Sequence, residues 1–251
     1  MNSAQTSILI LLSLVATVLA GRGLRRHLPE NHLSTESRDA VKLAMGLVST
    51  MTALLLGLLV GSAKGTYDTQ RTEIIQMGAQ IAYLDRVLTA YGPEAAEARG
   101  QFRGAVIDQA HALWPDTRGS TAQLAPQASA GDRVFTAVQG LSPRDDTQRT
   151  LKAQATTLAL GLGQLRVMLL AQAEPSIPRP LLVAVGWWLV VIFLFFSLLA
   201  PPNAMTTVAL VAAAVSVAVA IFLIMELDQP LGGMISIPSE PVMNALSHFT
   251  N

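Results

Sequence analysis

Apolar residues crowd four stretches of this chain, and polar residues fill the gaps between them. Ile8 to Ala20 is apolar apart from Ser13 and Thr17. With its flanks from Met1 to Gly21 it reaches the ~20 residues that cross ~30 Å of hydrocarbon. A second span runs from about Val41 to Ala63 and a third from Leu181 to Leu199. The fourth, Met205 to Met225, is built almost wholly of Ala, Val, Ile and Leu. Pro201-Pro202-Asn203 separates the last two, so the pattern predicts a tight helical hairpin, because paired prolines stop a helix. A secretory leader is the competing reading of the first stretch, with Val18-Leu19-Ala20 as a cleavage site. Leaders carry positive charge ahead of the apolar run. Here Arg22, Arg25 and Arg26 follow it instead, which favours a span.

Between spans two and three the period changes character. Ile74, Met77, Ile81, Leu84, Leu88 and Tyr91 recur at spacings of three and four, the stripe that a bundled helix buries. No proline interrupts Val41 to Gly92, so span two is expected to continue as one helix of about 50 residues until Gly92-Pro93 ends it. A following helix carries Phe102, Val106, Ala110 and Leu113 up to Trp114-Pro115. Residues 116–131 read as a loop, and Asp132 as the cap of a short helix with Val134, Phe135 and Val138. Ser142-Pro143-Arg144-Asp145 reads as a cap followed by a first-turn proline. It opens a helix that buries Leu151, Leu158, Leu162, Leu165 and Leu169 and lasts to about Ala173. A short amphipathic helix from Ser239, with Val242, Met243, Leu246 and Phe249 on one face, is expected at the membrane surface or against the bundle.

The expected fold is therefore all-α: an integral membrane protein with four transmembrane helices and a membrane-proximal antiparallel helical bundle inserted between helices two and three. Its segments are 1–63 (two spans and a basic connecting loop), 64–179 (the bundle), 180–226 (the transmembrane hairpin) and 227–251 (the tail). Composition agrees. Only 14% of the 251 residues are charged, against about a quarter in soluble domains. The 17 basic and 17 acidic residues cancel, which argues against a nucleic-acid partner. The absence of cysteine rules out disulfides, thiolate metal sites and a cysteine nucleophile.

Candidate chemistry is sparse. His27 and His32 flank Glu30, but the intervening proline and the spacing argue against a metal site. Asp108 and His111 could share a local hydrogen bond. Gly161-Leu162-Gly163 lacks the third glycine and preceding strand of a phosphate cradle. No acid–base pair, metal set or cofactor fingerprint stands out, and the reading is non-enzymatic. Span two is more informative. Gly46, Thr50, Ala53, Gly57, Gly61 and Lys64 fall at helical spacing and form one small or polar face. Gly57 and Gly61 make a small-xxx-small pair suited to close helix packing; alternatively, the face lines a pore and Thr50 offers it a hydroxyl. Ala212, Ala213, Ala214, Ser216, Ala218 and Ala220 make span four a close-packing helix. At its exit, Glu226 and Asp228 are boundary charges that could pair with Lys64 or Arg179, or ring an oligomeric vestibule.

Five ordered stretches carry a resemblance: Gly23 to Glu30 with Ser34 to Lys42 following, Leu58 to Thr69, Ser142 to Asp146, Ser176 to Pro180, and Ile221 to Pro230. Their order and spacing resemble the bacterial bestrophin-like membrane proteins grouped as domain of unknown function 4239. That resemblance implies a homo-oligomeric, pentameric anion channel with four spans per subunit, a small anion as permeant species, and a helical domain in the cytoplasm. The alternative is a non-catalytic membrane sensor or scaffold whose helical domain binds a partner or ligand.

Orientation in a bacterial inner membrane follows from short-loop Lys and Arg, which favour the cytoplasm. Arg22, Arg25, Arg26 and Arg38 place loop 22–40 inside and 64–179 in the periplasm, opposite to the placement that the resemblance implies. Single cysteines at Ser37 and Ser120 of this cysteine-free chain separate the two. The charge bias predicts that an impermeant thiol reagent added outside labels Ser120→Cys and spares Ser37→Cys; the reverse pattern places the helical segment in the cytoplasm.

Overall fold

The computed structural model describes residues 3–25, 35–114, 128–172, 177–201, 203–231, 233–247 and 249, without the side chains of residues 35, 37, 128–130, 132 and 179. Every regular element among them is helical. The helices are α1 (Ser3–Arg25), α2 (Thr35–Tyr91), α3 (Ala96–Leu113), α4 (Ala128–Gln139), α5 (Asp146–Ala171), α6 (Arg179–Leu199), α7 (Ala204–Leu227) and α8 (Glu240–Ser247), with a 3₁₀ turn at Pro93–Ala95. Four of them, α1, α2, α6 and α7, are long and apolar enough to cross a membrane. His27, His32, Glu30, His248, the loop 116–127 and the Asp132 cap lie outside the described residues or side chains.

The chain divides into two compact units, residues 1–66 with 175–228 and residues 67–174 with 229–251. In the first, α1 packs against both α6 and α7. Its inner stripe is Ser3, Ser7, Leu14, Val18 and Gly21, all buried. Polar bonds fix the directions. Ser3 Oγ donates to the Glu226 carboxylate at the end of α7, while Arg22 Nη2 donates to the Asn203 carbonyl ahead of α7, at 3.1 Å. α1 and α7 are therefore antiparallel. Ser197 Oγ near the end of α6 donates to the Val18 carbonyl at 2.6 Å, so α6 runs parallel to α1. A Cβ built on Gly21 would sit 2.8 Å from Ser197 Cβ and Oγ and 3.2 Å from the Leu194 carbonyl, so α1 and α6 come close here. Asn203 starts α7 by accepting from Thr206 N–H at 2.8 Å. Outside this core the unit presents large apolar side chains: Leu43 is 78% exposed and Met205 80%. A water-soluble fold avoids such surface, whereas lipid accepts it.

The second unit is a helical bundle with one core. All six residues of the α2 stripe from Ile74 to Tyr91 are buried, as are Phe102, Val106, Ala110 and Leu113 of α3. α2 spans 57 residues, about 85 Å at 1.5 Å per residue. Gly92 stops it at φ +115°, a backbone setting that side chains resist, and Pro93 begins the next turn. α5 starts three residues later than expected. Asp145, not Ser142, is its cap, with the Asp145 carboxylate accepting from Gln148 N–H at 2.7 Å. The Gln148 side chain in return accepts from Arg144 N–H at 2.8 Å and donates to the last carbonyl of α2, Tyr91, at 3.1 Å. Ser142 is exposed. A carboxylate that binds a first-turn N–H also favours the positive helix end, which the Ser142 hydroxyl does less well.

The tail packs into this same bundle. Ile237, Val242, Ala245 and Phe249 are buried in the core, and Trp114 Nε1 donates to the Ile237 carbonyl at 2.9 Å. Met243, expected on the same face, is half exposed; Val242 and Ala245, three apart, set the buried face instead. Phe249 lies 5.4 Å from Phe102 and under the Arg99 guanidinium. Arg99 is itself bonded through Nε and Nη2 to both oxygens of buried Asp85. That bond holds the Arg99 proton beyond its ordinary range, the Asp85 bond outweighing burial.

Two outcomes follow. Gly21→Leu should lower the unfolding free energy of the first unit by roughly 2 kcal/mol through overpacking against Ser197, read as a lower thermal midpoint in detergent. Arg99→Gln leaves a buried carboxylate half-satisfied and should cost the bundle about 2–3 kcal/mol, read by chemical denaturation; an unchanged midpoint in either case contradicts these contacts.

Candidate pore-lining face

α2 passes the membrane-spanning part of its length with two different sides. Met45, Thr52, Leu59 and Ala63 are buried, and Leu55 and Leu56 partly so. Leu59 and Ala63 join Leu14, Val18, Val185, Leu189 and Ile221 in the core of the first unit. The periodicity of seven, seven and four keeps this stripe on one side.

The opposite side carries Gly46, Thr50, Ala53, Gly57, Gly61 and Lys64, and every one of the six is exposed. At 100° per residue they fall within an arc of about 80°. A Cβ built on Gly46, Gly57 or Gly61 would meet nothing within 4 Å. Among the described residues, therefore, nothing of the same chain packs against these three glycines. Close approach falls instead at Gly21 in the first unit, and at Gly78 further along α2, where a Cβ would come 2.6 Å from the Pro241 carbonyl oxygen. The signal for Gly21 lay in α1, where Leu14, Val18 and Gly21 continue the spacing of Ser3 and Ser7. Beside the small arc runs a second exposed arc of Leu43, Leu47, Leu54 and Leu58.

Thr50 does not hold out a free donor. Its Oγ1 donates to the Gly46 carbonyl at 2.9 Å, a bond to the preceding turn that is common for threonine in helices. The hydroxyl presents lone pairs to the exposed side instead. Lys64 is the one formal charge among the six residues.

The boundary carboxylates are buried rather than solvated. Glu226 accepts from Ser3, and Ser7 Oγ donates to the Ser3 carbonyl at 2.9 Å. Asp228 is buried at the end of α7, its N–H on the Ile224 carbonyl at 3.1 Å. Arg179 opens α6. Of the α7 small residues, Ala214 and Ala218 are buried, while Ala212, Ala213 and Ser216 face outward. Close packing thus uses one stripe of that helix and not its whole circumference.

Asp108 and His111 are exposed and share no described hydrogen bond. Gly161 lies on α5, where a Cβ would come 3.0 Å from Gln80 Oε1, while one on Gly163 would meet nothing within 4 Å among the described residues. Among the described residues no three His, Cys, Asp or Glu side chains cluster as a metal site.

Comparison with known proteins gives two findings. The family model described as Bestrophin-like domain matches residues 12–242. The fold superposes on the crystal structure of a mutant bacterial bestrophin homologue from Klebsiella pneumoniae with a TM-score of 0.66, at 16% identity, covering 96% of each chain. No curated protein matches the sequence.

Proposed function

The chain belongs to the bestrophin-like family, and on that premise we propose that it is a homo-oligomeric ion channel whose path is lined by the small and polar face of α2. Four apolar helices and the family make it a multi-pass membrane protein. The observation that carries the lining is the contrast within α2: its leucine arc offers bulk to lipid or a neighbouring subunit, while the adjacent Gly46–Lys64 arc has no partner atoms within 4 Å of its glycines. Repeating such a helix around an axis with its small arc inward leaves a lumen instead of a packed core. Small residues keep that lumen wide, and backbone carbonyls and the Thr50 lone pairs line it.

The permeant species is a small anion in this reading. Lys64 supplies the one charge of the face, and a positive ring at a pore mouth concentrates anions. Lipid and further copies of the chain are the partners, and the bacterial inner membrane the site. The loop 22–40 faces the cytoplasm. No catalytic step is assigned. A membrane sensor is the second reading, supported by an apolar cavity in the helical unit.

Reconstitution of the intact chain in liposomes tests the proposal. Anion flux and single-channel current should exceed those of empty liposomes, and background conductance at every pH and voltage would remove the channel reading. Gly57→Leu points into open space, so it should leave unfolding within about 0.5 kcal/mol of wild type while suppressing most of the current in an intact oligomer. If the oligomer dissociates instead, the face is a packing seam. Thr50→Val keeps the shape and should alter flux only where that face meets water.

A further inference from the structure

The helices of the unit formed by residues 67–174 and 229–251 form an open-sided cavity of about 860 Å³. It is bounded by α2, α3, α4, α5 and α8 through Met77, Phe102, Val134, Leu162, Val167 and Val242, among others. That volume lies within the range of sites for drug-sized ligands, about 300–1,000 Å³, which are likewise mostly apolar with few polar groups. The polar side chains of the wall are Gln109, Gln164 and Arg166, and Arg166 is the one charged residue among the described lining. Its guanidinium Nη1 lies 3.8 Å from where a Gly131 Cβ would stand, beside the start of α4. No described hydrogen bond or ion pair holds it.

We propose that this cavity binds a single-chain amphiphile with an anionic head, a fatty-acid carboxylate, the carboxylate on Arg166 and the chain along the apolar wall. The chemistry favours this class from both ends. A planar guanidinium takes a carboxylate through two parallel N–H bonds. The amide N–H groups of Gln109 and Gln164 are further donors, Gln109 holding only a weak 3.8 Å contact to the Met77 sulfur. A cationic amphiphile would meet the Arg166 charge, and a neutral one would leave it unmatched. Polar or multiply charged ligands gain little from the apolar wall, which offers them few hydrogen-bond partners. Its lining shares no residue with the α2 face assigned to conduction, so the site stands or falls independently of that assignment.

Calorimetric titration of the intact chain in neutral phosphatidylcholine nanodiscs tests it, with oleate as probe, oleyl alcohol and oleylamine as comparisons, and protein-free nanodiscs subtracted. Oleate should bind saturably at one site per chain and at least about tenfold more tightly than the alcohol, the difference expected of one charge-assisted contact. Arg166→Gln should reduce oleate to the affinity of the alcohol and leave the alcohol unchanged. Gly163→Leu should weaken both, since Gly163 lines the cavity and a Cβ there meets no atom within 4 Å. The proposal is overturned by oleate binding no better than the alcohol or the amine, by a heat that protein-free nanodiscs fully reproduce, or by binding that ignores both substitutions. The wild-type comparison of the three probes decides the matter even if a variant misfolds.

Discussion

In hydrocarbon a leucine gains almost nothing by moving from lipid into protein, and this one constraint arranges the membrane-spanning unit. Helix association there depends on how closely backbones can approach and on polar bonds that have no water to compete with them. The α1–α6 contact shows both at once: Gly21 removes the side chain where Ser197 comes near, and the Ser197 hydroxyl bonds the Val18 carbonyl. The Ser3–Glu226 bond does the same at the far end of α1. The bundle follows the opposite logic. It buries an unbroken apolar stripe from Ile74 to Tyr91, and its buried Asp85 is matched by Arg99. α2 obeys both rules in turn along its length.

The parts readable in the sequence were those set by one-dimensional physics. Span length and apolar content identify four spans because a bilayer imposes a fixed thickness. The long reach of α2 was readable because no proline breaks it and because Gly92-Pro93 supplies both a left-handed stop and a fixed new start. The α5 boundary was harder. Ser142 and Asp145 are both competent caps; the carboxylate and Gln148 three residues later favour Asp145 locally, and the Gln148 bond to the end of α2 adds a tertiary contact. Met243 also failed: the amphipathic pattern of the tail fits two adjacent faces, and only the position of the bundle selects between them.

The candidate site was half readable. Alignment of Gly46, Thr50, Ala53, Gly57, Gly61 and Lys64 on one arc follows from spacing alone. Whether such an arc meets another helix cannot, because Gly21 and Gly57 look alike in a sequence and differ only in what stands opposite. Nor did spacing show that the Thr50 proton is committed to the Gly46 carbonyl. That bond changes the proposed path: along the span it would present oxygen lone pairs and small hydrocarbon surface rather than a hydroxyl proton. Spacing likewise did not show that Glu226 and Asp228 are buried at the end of α7, with the Glu226 carboxylate accepting from Ser3.

Water contact along α2 tests the central claim most directly, since the chain's lack of cysteine makes every introduced thiol unique. Single cysteines at Gly46, Thr50, Ala53 and Gly57, compared with Leu47, Leu54 and Leu58, can be exposed to a charged, membrane-impermeant thiol reagent in liposomes holding the assembled protein. The account predicts rapid modification along the small arc and none along the leucine arc. Protection of the small arc, or equal modification of both, would contradict it.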